Sequence, residues 1–203
     1  MSILNSRKNL GDITNDDVEG VNHINISKYS TTSIGKMLAP GYPFKFDSLI
    51  GTIGNIRNAM SYITIVNGPK WLLSKKKLTT TDIDIISKKK KVNLPNYWAI
   101  ITYLIAARIM SDPALLSLIK NSNPDMIIST YNIYKDNSLG TTSRRIEMNY
   151  SISRYVAAVR LIFELIRNDN FNNESIIKLI QESKENKDVP LFEGAPFSIT
   201  SDL

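Results

Sequence analysis

Residues 94–119 read LPNYWAIITYLIAARIMSDPALLSLI, and residues 151–166 read SISRYVAAVRLIFELI. In the first stretch Trp98, Ile101, Leu104, Ile105 and Ile109 recur at spacings of three and four, the period of an α-helix. Asp112-Pro113 stops that helix and starts the next. The aspartate serves as N-cap, and the proline sits in the first turn, where its missing N–H costs nothing. Leu115, Leu116, Leu118 and Ile119 give the second helix its inner side. Tyr155, Val156, Val159, Ile162, Phe163 and Ile166 repeat the pattern on a third. No other part of the chain is as dense in apolar residues at helical spacing, so the core is expected between Leu94 and Ile166. The fold class that follows is mainly α, a single compact helical domain.

A chain of 203 residues fits one domain. At that length folding buries about 70% of the surface that the unfolded chain exposes. The core domain is expected over 31–187, with an N-terminal arm over 1–30 and a C-terminal arm over 188–203. The absence of cysteine excludes disulfides, zinc–thiolate sites and thiol nucleophiles. His23, the single histidine, argues against a Ser-His-Asp triad and a multi-histidine metal site; it reads as an exposed loop residue. Neither a metal nor a cofactor is implied. No apolar run reaches the ~20 residues of a membrane span. The opening MSILNSRKNLGDITNDD lacks the apolar centre of a signal peptide, so a cytoplasmic product with no membrane partner is expected. Isoleucine, with 29 residues, is abundant alongside asparagine and lysine. All three have AT-rich codons, an association with AT-rich bacterial or phage genomes; a phage product would occupy host cytoplasm and virion.

Outward from the core, residues 1–30 are polar and lack a sustained period. Pro40, Gly41 and Pro43 mark a structured loop whose Tyr42, Phe44 and Phe46 either cover a pocket or anchor the loop on the core. A helix is predicted after Gly54, capped by Asn55, with Ile56, Met60 and Ile63 on one face and Arg57 beside it. Met126-Ile127-Ile128 reads as a short strand or buried extended segment. Residues 132–151 read as a loop, long enough to be functional, in which Arg144 and Arg145 either hold an anion or form surface ion pairs. Arg160 in the third helix needs a partner if it is buried. Asn172-Asn173-Glu174 opens a last amphipathic helix with Ile176, Ile177 and Ile180 inside. The ending VPLFEGAPFSITSDL has two prolines and a glycine that exclude helix, yet Leu191, Phe192, Phe197 and Ile199 are apolar enough to dock an assembly arm.

The charge is concentrated in one place. Lysines 70, 75, 76, 77, 88, 89, 90 and 91 face only Asp82 and Asp84 between residues 67 and 93, which accounts for the net +6 of the whole chain. The intervening TTTDIDIISKK predicts a short capped helix between two lysine clusters. Lys75, Lys76, Lys77, Lys88, Lys89, Lys90 and Lys91 are therefore the polyanion-binding candidates, set against the plainer reading of a solvated lysine face.

The order of these pieces resembles the NADAR (YbiA-like) family over roughly Ser27 to Ile166. Ala107 to Ile119, ARIMSDPALLSLI, is similar to the family's Lys-Phe-x-x-Asn-x-x-Leu-x-x-x-Leu pattern. Asn149 to Arg160, NYSISRYVAAVR, is similar to its Asn-x-x-Gly-x-x-Leu-x-x-x-Arg helix. Gly51 to Tyr62 stands where the family carries Ser-x-Glu. The resemblance implies a small, mainly helical fold and cleavage of an N-glycosidic bond of ADP-ribose-type substrates by that glutamate. This chain has Arg57 at the glutamate and Asn55 at the serine, and the family's Asp-x-x-Trp-Gly segment is missing between Asp125 and Asn149. Arginine cannot act as the carboxylate and would repel oxocarbenium charge. The resemblance thus implies a degenerate pocket, with Arg57, Asn58, Tyr62, Asn149 and Arg160 as candidate ligand contacts and no catalytic residue.

The reading that follows is a non-catalytic structural or assembly protein, of a phage particle or another large complex, whose arms meet protein partners or further copies. The alternatives are an N-glycosidase, using Asp47, Asp125, Asp136 or Glu147, and a nucleic-acid-binding accessory protein.

Overall fold

The structure is a computed structural model of the 203-residue chain, and it describes residues 9–12, 19–21, 23–92, 97–123, 127–128, 131–135, 143–147 and 150–182. In chain order these form β1 (Asn9–Asp12), β2 (His23–Ile24), α1 (Ser33–Leu38), β3 (Phe46–Ser48), β4 (Gly51–Ile53), α2 (Ile56–Tyr62), α3 (Trp71–Ser74) and α4 (Thr80–Ser87). Then come α5 (Tyr97–Met110), α6 (Pro113–Lys120), β5 (Ile127–Ile128), β6 (Tyr131–Lys135), β7 (Ser143–Glu147), α7 (Tyr150–Arg167) and α8 (Asn173–Glu182). The protein is mainly helical, with short strands.

Helix α5 is the axis of the core. A helix apolar all round is stable only when neighbours cover it on every side. Trp98, Ala99, Ile100, Ile101, Tyr103, Leu104, Ile105, Ala106 and Ile109 are all buried, covered by α2, α6, α7, α8 and β3. The spacing read in the sequence gave α5 one inner face; the neighbours bury most of the rest and leave Met110 exposed. Asp112 caps α6 as expected, its carboxylate accepting from the Leu115 amide at 3.0 Å, with Pro113 in the first turn. Leu115 and Ile119 are buried, but Leu118 is exposed, because α6 turns only one narrow side inward. On α7, Tyr155, Val156, Val159, Ile162, Phe163 and Ile166 are all buried, as their spacing predicts. Arg167 at the end of α7 donates to the Asn123 carbonyl at 2.6 Å, beyond the C-terminus of α6, where a cation is favoured.

The strands trim this core. β3 and β4 form an antiparallel hairpin that pairs Phe46 with Ile53 and turns at Ser48–Gly51. β2 pairs in parallel with β5, and β1, β7 and β6 form an antiparallel sheet in that order.

Three readings change. His23 is buried rather than exposed, held in β2 by its pairing with Ile127. The segment after it is core rather than arm: Ile24 and Ile26 are buried in the main apolar cluster, and Glu19 accepts from Ser30 Oγ and from the Asn25 and Thr31 amides. The alternation at 24 and 26 is too short to stand out from its polar surroundings. Residues 132–151 are not one loop, since β6 and β7 pair through five register positions. Residues 188–203 lie outside the described residues. Among the described residues no single helix is long and apolar enough to cross a membrane; α5 and α6 together pass on length and composition but are bent by 93°.

Candidate functional site

Arg108 is buried among apolar residues. It lies on α5 and is 1% exposed, and its Nε, Nη1 and Nη2 have no hydrogen-bond partner among the described residues. A guanidinium stays charged in proteins and carries five donors. Leaving such a charge unpaired in the interior costs several kcal/mol. Its neighbours offset only part of that cost. The guanidinium carbon lies 5.0 Å from the Tyr42 ring centroid and 5.6 Å from that of Phe44. Each such cation–π contact contributes about 0.5–2 kcal/mol. Burial pushes the Arg108 pKa down, opposed by the nearby Tyr155, Asp112 and Tyr42. Asp112 Oδ2 is also buried without a partner.

The aromatic cover comes from loop 39–45. Its shape is set by the Tyr42 amide donating to the Ala39 carbonyl at 2.9 Å, and by the Phe44 amide donating to the Gly54 carbonyl at 3.1 Å. Of the two readings of this loop, anchoring on the core holds for Phe46, while Tyr42 and Phe44 are half-buried over Arg108. Tyr155 runs beneath, its hydroxyl donating to the Leu38 carbonyl at 2.9 Å; burial pushes that hydroxyl's pKa well above the usual tyrosine range. Arg108 was legible as the one charge within YWAIITYLIAARIM, yet its position in the helical pattern alone does not tell that every side of α5 is covered.

The second feature is the lysine face. Helix α4 forms where its sequence predicts, through a reciprocal cap: Thr79 Oγ1 accepts from the Asp82 amide and Asp82 accepts from the Thr79 amide. Asp82 also takes both of its oxygens to Lys75 Nζ at 2.7 Å, and this ion pair, followed by the Thr79 amide, holds the carboxyl below the usual range. The backbone on either side of α4 is lashed to opposite ends of α2. At one end Asn55 and Asn58 donate to the Lys76 and Lys75 carbonyls at 2.7 and 2.5 Å. At the other end the Val66 amide donates to the Lys90 carbonyl at 2.9 Å, and the Val92 amide to the Thr64 carbonyl at 2.9 Å. The eight residues of α4 therefore separate the clusters by about 12 Å. Lys88 pairs with Asp84 at 2.6 Å. Lys70, Lys76, Lys77, Lys89, Lys90 and Lys91 are exposed and have no ion pair among the described residues. Beside them Trp71, on α3, is 45% exposed and lies 4.5 Å from Lys75 Nζ.

Of the residues expected to share a pocket, Arg57, Asn58 and Tyr62 lie on α2 and Arg160 lies on α7. Arg57 is exposed on α2, its guanidinium against Gly41 and its amide donating to the Pro40 carbonyl at 2.7 Å. Asn58 is buried and is used up in latching the Lys75 carbonyl. Tyr62 is half-buried at the end of α2. Arg160 is half-buried on α7, and α2 and α7 each pack on α5. Asp47 is exposed in β3 and accepts from Thr52 Oγ1 at 2.6 Å. Arg144, Arg145 and Glu147 fall in β7. Asn149, Asp125, Asp136, Leu191, Phe192, Phe197 and Ile199 lie outside the described residues. Sequence reasoning missed Trp71, whose apolar character reads as core until α3 is seen to turn Leu72 and Leu73 inward instead. In comparisons with known proteins, no family model matches the chain, and no curated protein and no solved structure is found to be similar to it.

Proposed function

We propose that the chain is a non-catalytic accessory protein of a nucleic-acid-containing assembly, and that it engages the polyanion through the lysine face around α3 and α4. The observation that carries this reading is the set of six lysines without ion pairs beside an exposed tryptophan, on a backbone pinned to both ends of α2. Phosphate binding by lysine releases condensed counterions, and an exposed indole offers a stacking platform for an unpaired base. The lysines supply affinity without sequence preference, and Trp71 tilts the choice towards single strands. The test is fluorescence anisotropy with labelled single- and double-stranded oligonucleotides, from low to physiological salt. Replacing Lys76, Lys77, Lys89, Lys90 and Lys91 with glutamine should abolish a salt-sensitive affinity, and Trp71→Ala should weaken single-strand binding selectively. Affinity unchanged by the lysine replacements rejects the reading.

A second reading, assembly through protein contacts, is favoured by an apolar groove of about 200 Å³ between α5 and α8. It is lined by Tyr103, Ala106, Ala107 and Ile176 and flanked by the exposed Met110. Light scattering of the chain with and without residues 1–18 and 189–203 tests it; a monomer in both forms counts against assembly. The glycosidase reading rests on the likeness to the NADAR family and gains nothing from the surface position of Arg57. Release of free base from ADP-ribosylated nucleic acid by the purified chain would restore it.

A further inference from the structure

We propose that Arg108 and Asp112 form a binding site for a small oxyanion that also carries a hydroxyl, closed over by Tyr42 and Phe44. Three guanidinium nitrogens and one carboxylate oxygen, all buried, lack partners within one helical turn of each other. No ion pair joins the two groups within 4 Å, although both are buried. Asp112 cannot swing across freely, since its other oxygen holds the Leu115 amide at the start of α6. Tyr155 cannot donate to the carboxylate, because its hydroxyl proton goes to the Leu38 carbonyl.

The chemistry of the two unpartnered groups selects the occupant. The aromatic rings lie near the guanidinium carbon and leave the donors to seek acceptors elsewhere. Paired N–H groups of a guanidinium match two oxygens of a phosphate or carboxylate. The unpartnered Asp112 oxygen accepts and cannot donate, so the ligand must bring an O–H towards it. Hydrogen phosphate and 2-hydroxycarboxylates share that combination; acetate lacks it. The way in is loop 39–45. Its outer side is held by the Arg57 amide on the Pro40 carbonyl, and displacement of Tyr42 and Phe44 uncovers Arg108 without breaking α5.

The site is tested by calorimetric titration of the full chain with inorganic phosphate, glycolate and acetate at constant ionic strength. Phosphate or glycolate should bind one per chain and acetate much more weakly; which of the two binds identifies the ligand class. Arg108→Lys keeps the charge but loses the fork, and should weaken binding about tenfold or more. The five-lysine glutamine variant should bind the same probe unchanged. If phosphate uptake is lost in that variant instead, the anion sits on the lysine face and the Arg108 site is overturned. Acetate binding as tight as glycolate overturns the part given to Asp112. Failure of both phosphate and glycolate to bind the unaltered chain overturns the whole proposal without recourse to any variant.

Discussion

At Gly54 the chain allows no side chain. A Cβ built there would stand 2.1 Å from the Lys75 carbonyl oxygen, a backbone atom that Asn58 holds in place. Gly54→Ala should therefore lower stability by about 1–3 kcal/mol in urea denaturation, as overpacking does. Two titrating residues give opposite pH signatures. Asp82 has its folded pKa depressed below the ordinary aspartate value by its ion pair with Lys75 and the Thr79 amide. Its contribution is present above that value and is lost as pH falls through the folded one. Denaturation midpoints followed from neutral to strongly acid pH should decline less steeply in Asp82→Asn than in the unaltered chain. Tyr155 has its folded pKa raised above 10.0 by burial. Its contribution is full below pH 10 and is lost as pH rises beyond it. Tyr155→Phe should flatten the alkaline limb of the same profile and cost about 1 kcal/mol at neutral pH, through the orphaned Leu38 carbonyl.

At the scale of elements, short helices here depend on their ends. α4 has eight residues and buries only Asp82, so neither length nor a core face sustains it. Its cap does, and Thr79→Ala should cost about 1 kcal/mol, measured by urea denaturation. The same substitution should weaken oligonucleotide binding modestly, because fraying of α4 loosens the Lys75–Asp82 pair that orders one lysine cluster. α5 is the opposite case. Eleven of its fourteen residues are buried, so tertiary packing rather than an end cap sustains it. The cap was readable from local pattern, TTTD, and the helix of α5 from its apolar spacing, but not how far its neighbours cover it. The β6–β7 pair was not. Its sequence has Asn, Tyr, Lys and Arg rather than alternating apolar residues, and the pairing partners are separated along the chain.

Over the whole molecule, residues 23–38 close the core rather than trailing from it. Ile24 is fully buried and Ile26 nearly so. Ile24→Ala should cost about 2–5 kcal/mol in thermal or urea unfolding. An effect no larger than that of a surface substitution would return residues 23–30 to the status of an arm. Charge is the other whole-molecule property. The excess of six positive charges lies within residues 67–93, while Arg108, buried in the core, has no hydrogen-bond partner among the described residues. Binding through the six lysines that have no ion pair among the described residues should give a log affinity against log salt slope of up to about −4 for single strands. A slope near zero would mean that contact is not made through phosphates.

The sequence by itself determined the helices that matter: α5, α6 and α7 from the period of their apolar residues, α2 and α4 from their caps, and the lysine clusters from plain counting. These are local properties, carried by neighbours three and four residues apart. Only the tertiary structure decided that His23 and Ile24 are inside, that Asn58 is a latch, that Arg57 is at the surface, and that Arg108 is sealed beneath Tyr42 and Phe44. Burial of a side chain is a property of what packs against it. For Arg108 that cover comes from a loop more than sixty positions earlier in the chain, and no periodicity within α5 can report it.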